Sequence, residues 1–148
     1  MEHIEIYTDG GCSPNPGPGG WAFVMRRESG TVERSGGEAN TTNNRMELKA
    51  VTEALLEAER VAPGAAVELK TDSQYVKNGI TSWINSWKRN GWRTADKKPV
   101  KNKELWEALD EVTARVKPVF SWVKGHAGIE SNERCDALVQ VERGKFSR

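Results

Sequence analysis

Cysteine is scarce in this chain. The 148 residues hold two, Cys12 and Cys135, far apart and without the short spacing of a metal knuckle. That excludes a disulfide framework and a zinc module as the organising principle. No apolar run is long enough to cross a bilayer, and nothing reads as a signal or transit segment. The expectation is a cytoplasmic protein with free thiols. Charge of one sign is lacking too. Lys and Arg number 22 against 21 Asp and Glu, for a net charge of +1, so only local clustering can speak for a partner. Repeats and low-complexity segments are absent, and glycine and proline gather in one stretch instead of marking a linker. With 36% hydrophobic residues, 1–148 read as one domain able to bury an ordinary core.

What is present begins with residues 3–9. They alternate apolar and polar side chains, are rich in β-branched and aromatic residues, and end in a carboxylate, Asp9. Residues 10–20 carry five glycines and three prolines, which predicts a loop whose backbone can approach a ligand closely. Residues 21–26 and 31–35 read as two further strands of an antiparallel meander ended by Gly36 and Gly37. The cluster Thr41-Thr42-Asn43-Asn44 predicts a helix start, with Asn44 and Glu47 spaced as a capping box. Counting back one turn from Val51 puts Glu47 on the inward face of that helix. Residues 67–71 form a fourth strand ending at Asp72, followed by a short helix interrupted at Gly79. After an irregular basic loop, Asn102 is expected to cap a helix through Leu105, Leu109 and Val112. Residues 119–123 read as a fifth strand, and Ser131 and Asn132 as the cap of a last helix that carries Asp136 in its second turn.

The order β-β-β-α-β-α-α-β-α predicts an α/β fold: a mixed five-stranded sheet with helices on both faces and the first strand in the middle. Connections switch direction beside that strand, and ligands bind at the carboxyl ends of strands at such a point. Asp9, Glu47, Asp72 and Asp136 all map to that edge. Singly, Asp9 can start a turn and Glu47 or Asp72 can cap a helix. Together, four crowded carboxylates repel unless a hard divalent cation such as Mg2+ resolves them. Two such ions about 3.5–4 Å apart would suit in-line phosphoryl transfer.

Six motifs occur in order: Tyr7-Thr8-Asp9-Gly10-Gly11-Cys12, Asn15-Pro16-Gly17-Pro18-Gly19-Gly20-Trp21, Thr42-Asn43-Asn44-Arg45-Met46-Glu47, Thr71-Asp72-Ser73-Gln74-Tyr75, Trp122-Val123-Lys124-Gly125-His126 and Asn132-Glu133-Arg134-Cys135-Asp136. Over nearly its whole length the chain resembles bacterial type 1 ribonuclease H, which cuts the RNA strand of RNA–DNA hybrids. The resemblance implies the ribonuclease H-like fold and Asp9, Glu47, Asp72 and Asp136 as metal-binding, catalytic carboxylates, served by Mg2+, two ions with substrate, or by Mn2+. It implies His126 as a loop histidine aiding proton transfer or product departure. A glycine-flanked histidine ten residues before Asp136 fits acid–base work near the site. Cys12, Asn15, Asn43, Asn44 and Gln74 match residues that contact the hybrid's minor groove, and Thr42 one that grips a DNA-strand phosphate. After Asp136, residues 137–145 depart from the small alanines usual in the family.

From Lys88 to Lys103 there are seven basic residues and one acid, Asp96, with Trp83, Trp87 and Trp92 in or just before the stretch. Cations interleaved with aromatics suit a nucleic-acid backbone. Trp83, Trp87, Lys88, Arg89, Trp92, Lys97 and Lys98 are therefore expected to bind substrate, as the family's basic protrusion does. Phosphate and sugar contacts carry no base information, so cleavage is expected to be independent of sequence. A monomer is expected. A transposase or integrase core is the rival enzyme, disfavoured by Glu47 following the meander and by the basic arm. A hybrid-binding module without catalysis is the rival of another class, disfavoured because all four carboxylates are present.

Overall fold

Alternation along the strands decides which face of the sheet each residue enters. The computed structural model describes residues 2–94, 97–123 and 130–146, with Asn132 lacking a described side chain. Its elements are β1 (His3–Cys12), β2 (Gly17–Arg27), β3 (Gly30–Thr41), α1 (Asn43–Val61), β4 (Ala66–Thr71), α2 (Gln74–Asn78), α3 (Ile84–Asn90), α4 (Lys103–Val116), β5 (Val119–Trp122) and α5 (Glu130–Gly144). The sheet order is β3-β2-β1-β4-β5, so β1 is central, with the antiparallel meander on one side and parallel β4 and β5 on the other. This is the expected mixed sheet.

Ile4 and Ile6 of β1, with Phe23, Met25, Val67 and Leu69, point into the larger core. There they meet Leu48, Val51 and Leu55 of α1 and Trp106, Leu109 and Val112 of α4. Tyr7, Ala22 and Val24 point the other way and meet Cys135 and Val139 of α5. Helices therefore cover both faces. Each large apolar side chain so buried contributes about 1.5–3 kcal/mol.

The glycine-rich stretch departs from expectation. Only residues 13–16 lie outside strands. β1 runs on through Gly10, Gly11 and Cys12, and β2 begins at Gly17, pairing Gly10 with Trp21, Gly11 with Gly20 and Cys12 with Gly19. Asp9 thus lies inside β1 and not at its end. These glycines serve close approach of helices more than turning. A Cβ on Gly10 would sit 2.7 Å from the Glu47 amide nitrogen, and one on Gly20 would sit 2.8 Å from the Val139 carbonyl oxygen. β3 likewise continues past Gly36 and Gly37 to Thr41. There the Trp21 ring occupies the space a Gly36 side chain would need.

Three helix starts also differ. Thr42 caps α1, its hydroxyl accepting from the Arg45 amide at 3.2 Å, so Glu47 belongs to no capping box and is left for the site. Asn102 precedes α4 in a left-handed conformation, φ 61°, and makes no side-chain cap; its amide bonds Tyr75 and Arg45 instead. α5 starts at Glu130, so Ser131 and Asn132 lie within its first turn. Gly79 does interrupt the second helix, as expected. It opens a π-helical turn, Gly79–Trp83, that joins α2 to α3 and leaves room for the Trp106 ring.

Candidate active site

The parallel register of β1 and β4 builds the site. Tyr7 pairs with Lys70, which brings Asp9, two residues on, beside Asp72 just past the end of β4. Ser73 is the cap of α2: its hydroxyl accepts from the Val76 amide at 3.1 Å, which frees Asp72 from that duty. From above, α1 lowers its second turn onto Gly10 and delivers Glu47. One carboxylate oxygen from each of Asp9, Glu47 and Asp72 lies within 4.8 Å of the others. All three residues are half-buried.

The electrostatics follow from that crowding. Burial, then the charges of Asp9 and Asp72, push the Glu47 carboxyl well above the ordinary carboxylate range. Donors at the Gly10 amide and the Ser73 hydroxyl oppose the shift without cancelling it. Glu47 Oε2 is buried with no hydrogen-bond partner among the described residues. Three oxygen donors of like charge, one with an orphaned buried atom, fit a hard divalent cation and fit no thiol- or imidazole-seeking metal.

Asp136 does not join this group of three. The thiol of its neighbour Cys135 donates to the Tyr7 carbonyl at 3.3 Å, so α5 runs beside β1 and carries Asp136 near the strand without bringing it within 4.8 Å of all three. The structure thus groups three of the four expected carboxylates, and Asp136, carried by α5, stands outside that 4.8 Å span. His126 lies outside the described residues.

The expected substrate-binding residues form a stitched rim. Asn43 Oδ1 accepts from the Cys12 amide at 2.6 Å, and Asn15 Oδ1 accepts from the Asn43 amide at 3.3 Å. The Cys12 thiol is buried and its one proton is shared between Asn15 Oδ1 and the Thr41 carbonyl, so it is spent inside the protein. Asn15, Asn43, Asn44 and Gln74 are exposed. Asn15, Thr42 and Asn44 line a cavity of about 260 Å³ whose far wall is Lys101 and Asn102. The sequence assigned neither of those two a place at the rim, and Ser73 no role of its own. The spacing of Ser73 to Val76 was a readable capping signal, and Lys101 belongs to the basic run.

The arm holds its aromatics in a chain. Ring centroids of Trp83 and Trp87, and of Trp87 and Trp92, are 5.9 Å apart, and Trp87 meets Trp106 at 5.5 Å. Trp87 and Trp92 pack against the main core, while Trp83 is 36% exposed. The first two thus have a packing role that the interleaving with cations did not reveal. Arg89, Lys97 and Lys98 are exposed, and Lys88 forms an exposed ion pair with Asp110 at 3.4 Å.

A family model described as RNase H matches residues 1–143. The chain belongs to the RNase H family. The ribonuclease H of Chelativorans sp. (strain BNC1) is 55% identical over 148 residues, covering 100% of this chain and 90% of its own. That of Rhizobium meliloti (strain 1021) is 56% identical, covering 100% and 95%. Among solved structures, LC9-RNase H1, a type 1 RNase H with the type 2 active-site motif, superposes with a TM-score of 0.86 at 27% identity, covering 99% of this chain and 74% of its own. LC11-RNase H1 in complex with an RNA/DNA hybrid gives 0.73 at 28%, covering 96% and 97%. The chain is therefore a nuclease of a divalent-metal-dependent family, and its acidic cluster is in place. No described helix is long and apolar enough to cross a membrane.

Proposed function

We propose that this RNase H family nuclease hydrolyses the RNA strand of RNA–DNA hybrids, without sequence preference, leaving 5′-phosphate and 3′-hydroxyl ends. The observation that carries the reading is the group formed by Asp9, Glu47 and Asp72, with its orphaned Glu47 oxygen. Mg2+, or Mn2+ in its place, would be held there, two ions once substrate and Asp136 contribute, and would supply Lewis acidity for in-line displacement at phosphorus. Asp9 and Asp72 fix the site from the paired strands, and Glu47 closes it from α1. His126 would take or give a proton at the leaving group.

RNA is chosen at the rim. The exposed amides of Asn15, Asn43, Asn44 and Gln74 can donate and accept, as 2′-hydroxyls read from a wide minor groove require. Cys12 contributes through its backbone, which Asn43 holds. Thr42 and its cavity receive a phosphate of the DNA strand. Trp83 and the cations Lys88, Arg89, Lys97 and Lys98 hold the DNA backbone, with Trp87 and Trp92 stiffening their base. A binding module without catalysis has no use for a carboxylate group that costs the metal-free protein stability. Residues 1–148 act as one domain, monomeric and cytoplasmic in this reading.

A strand-labelled hybrid, incubated with Mg2+ or Mn2+ and with EDTA as control, tests it. Cleavage of the RNA strand alone is expected, with ends that ligase accepts after re-annealing. Single-stranded RNA and duplex DNA are expected to be poor substrates, and cutting of duplex DNA at an equal rate would overturn the reading.

A further inference from the structure

The sheet face beneath α5 carries its charges in rows. Arg26, Glu5, Glu68 and Val119 stand in register across β2, β1, β4 and β5, and Val24, Tyr7, Lys70 and Ser121 form the next row. Asp9 and Asp72 stand two residues further on. Lys70 is the only Lys or Arg in β1 or β4. It is no loosely solvated lysine, since its side chain is 22% exposed. Its ammonium donates to Glu5 Oε2 at 2.9 Å and to the Tyr7 hydroxyl at 3.4 Å, and lies 5.3 Å from the Tyr7 ring centroid. Glu68 stands 4.0 Å away and is itself held by the Ser121 hydroxyl at 2.7 Å. Tyr7 is buried against α5, so the partner that steers Lys70 is itself fixed.

We propose that Lys70 is a positioning residue for the carboxylate group: its fixed charge, held one row behind Asp9 and Asp72 by Glu5 and Tyr7, weakens the group's resting affinity for a divalent cation. The inference rests on the metal-binding reading of that group. Two residues along a strand are about 7 Å, so the ammonium stands roughly 8–10 Å from a cation seated between the carboxylates. At that range, in a water-like medium at low salt, a unit charge changes affinity for a divalent ion by about two- to fivefold. The same cation relieves repulsion between Asp9 and Asp72 when no metal is bound. A site so tempered fills best when substrate phosphate oxygens complete the coordination shell.

The test is calorimetric titration of the metal-free protein with Mg2+ at low ionic strength, without nucleic acid. Lys70→Met is expected to bind about two- to fivefold tighter than the parent, and Lys70→Arg to match it. Glu5→Gln is expected to bind more weakly, by up to about twofold, because it removes a negative charge and releases Lys70 toward Asp72. Lys70→Met and Glu5→Gln break the same ion pair, so a merely structural role moves both in one direction. Opposite shifts that shrink in about 0.5 M KCl bear the proposal out. Shifts of the same sign, or none, overturn it while leaving the metal reading intact. A parent that takes up no Mg2+ overturns both.

Discussion

Glu47→Gln separates the cost of the site from its use. In the metal-free protein, the Glu47 carboxyl is pushed up first by burial and then by Asp9 and Asp72. The folded protein therefore holds the Glu47 proton more tightly than the unfolded chain does. The stability this proton contributes is complete below the unfolded carboxylate value and is lost as pH rises through the folded value. Glutamine has no such loss. Its Oε1 can keep the Gly10 amide, and its NH2 group can donate toward the two aspartates where Glu47 Oε2 has no partner among the described residues. Two unit charges at 4.8 Å repel by roughly 3.5 kcal/mol at an effective dielectric of ~20 and roughly 0.9 kcal/mol at ~80. Asp9 and Asp72 make interactions of their own, and the site is half-buried, so relaxation and solvent remove much of this. The net expectation is a variant about 1–2 kcal/mol more stable than the parent at pH 8 in EDTA, about 3–6 °C in Tm. The difference should close toward pH 4, where both side chains are neutral. Added Mg2+ should stabilise the parent more than the variant, because ligand binding to the native state raises stability by RT ln(1 + [L]/Kd). Cleavage should fall by orders of magnitude. Urea unfolding at both pH values in EDTA decides the matter. A variant less stable than the parent at pH 8, or a difference that ignores pH, refutes the crowding argument.

Two further outcomes are expected. Gly10→Ala drives a Cβ to 2.7 Å from the Glu47 amide nitrogen, a backbone atom that cannot turn aside. It should cost about 2–3 kcal/mol in urea unfolding and lower cleavage by shifting α1. Gly11→Ala meets only Asn43 Oδ1 at 3.7 Å and should cost under ~1 kcal/mol, so equal effects from the two would argue against close packing as the reason for Gly10. Neutralising Lys88, Arg89, Lys97 and Lys98 together should weaken hybrid binding and flatten its salt dependence, by up to ~0.9 log unit for every phosphate the arm no longer neutralises. Lys88, already paired with Asp110, should contribute least. Turnover at saturating hybrid should hold, and its collapse with affinity intact would mean that the arm is misassigned.

The sheet was legible because alternation in residues 3–9 and 67–71 reports burial and the apolar run 21–25 marks a strand covered on both faces, and β1 does take the central place. Glu47 was legible through periodicity: Val51, Leu55 and Ala58 are all buried on α1, and one turn back from them lies the carboxylate. Gly10 to Gly20 misled because glycine permits two things, turning and close approach, and composition does not distinguish them. Only the partner helix does, and it comes from residues far along the chain. Asp136 was placed by its motif, whereas its distance from the other three depends on how α5 rests on β1. Trp87 and Trp92 carried the same ambiguity as the glycines. An aromatic among cations serves a core as readily as a nucleic acid, and here Trp106, distant in sequence, draws Trp87 inward.

The three grouped carboxylates come from β1, α1 and the end of β4, and no two lie in one local segment. No fragment that has folded only its meander, or only α1, owns a site. A chain emerging in order from its N-terminus, at roughly 5–20 residues per second, stays inert as a nuclease until β4 has paired with β1. Metal cannot rescue a misregistered sheet either. A slip of one residue between β1 and β4 would turn Asp72 to the opposite face from Asp9, and the ion would lose its cradle. Hydrolytic power in this protein thus reports that β1, α1 and β4 have assembled in register, and a copy that has lost that register cannot cut.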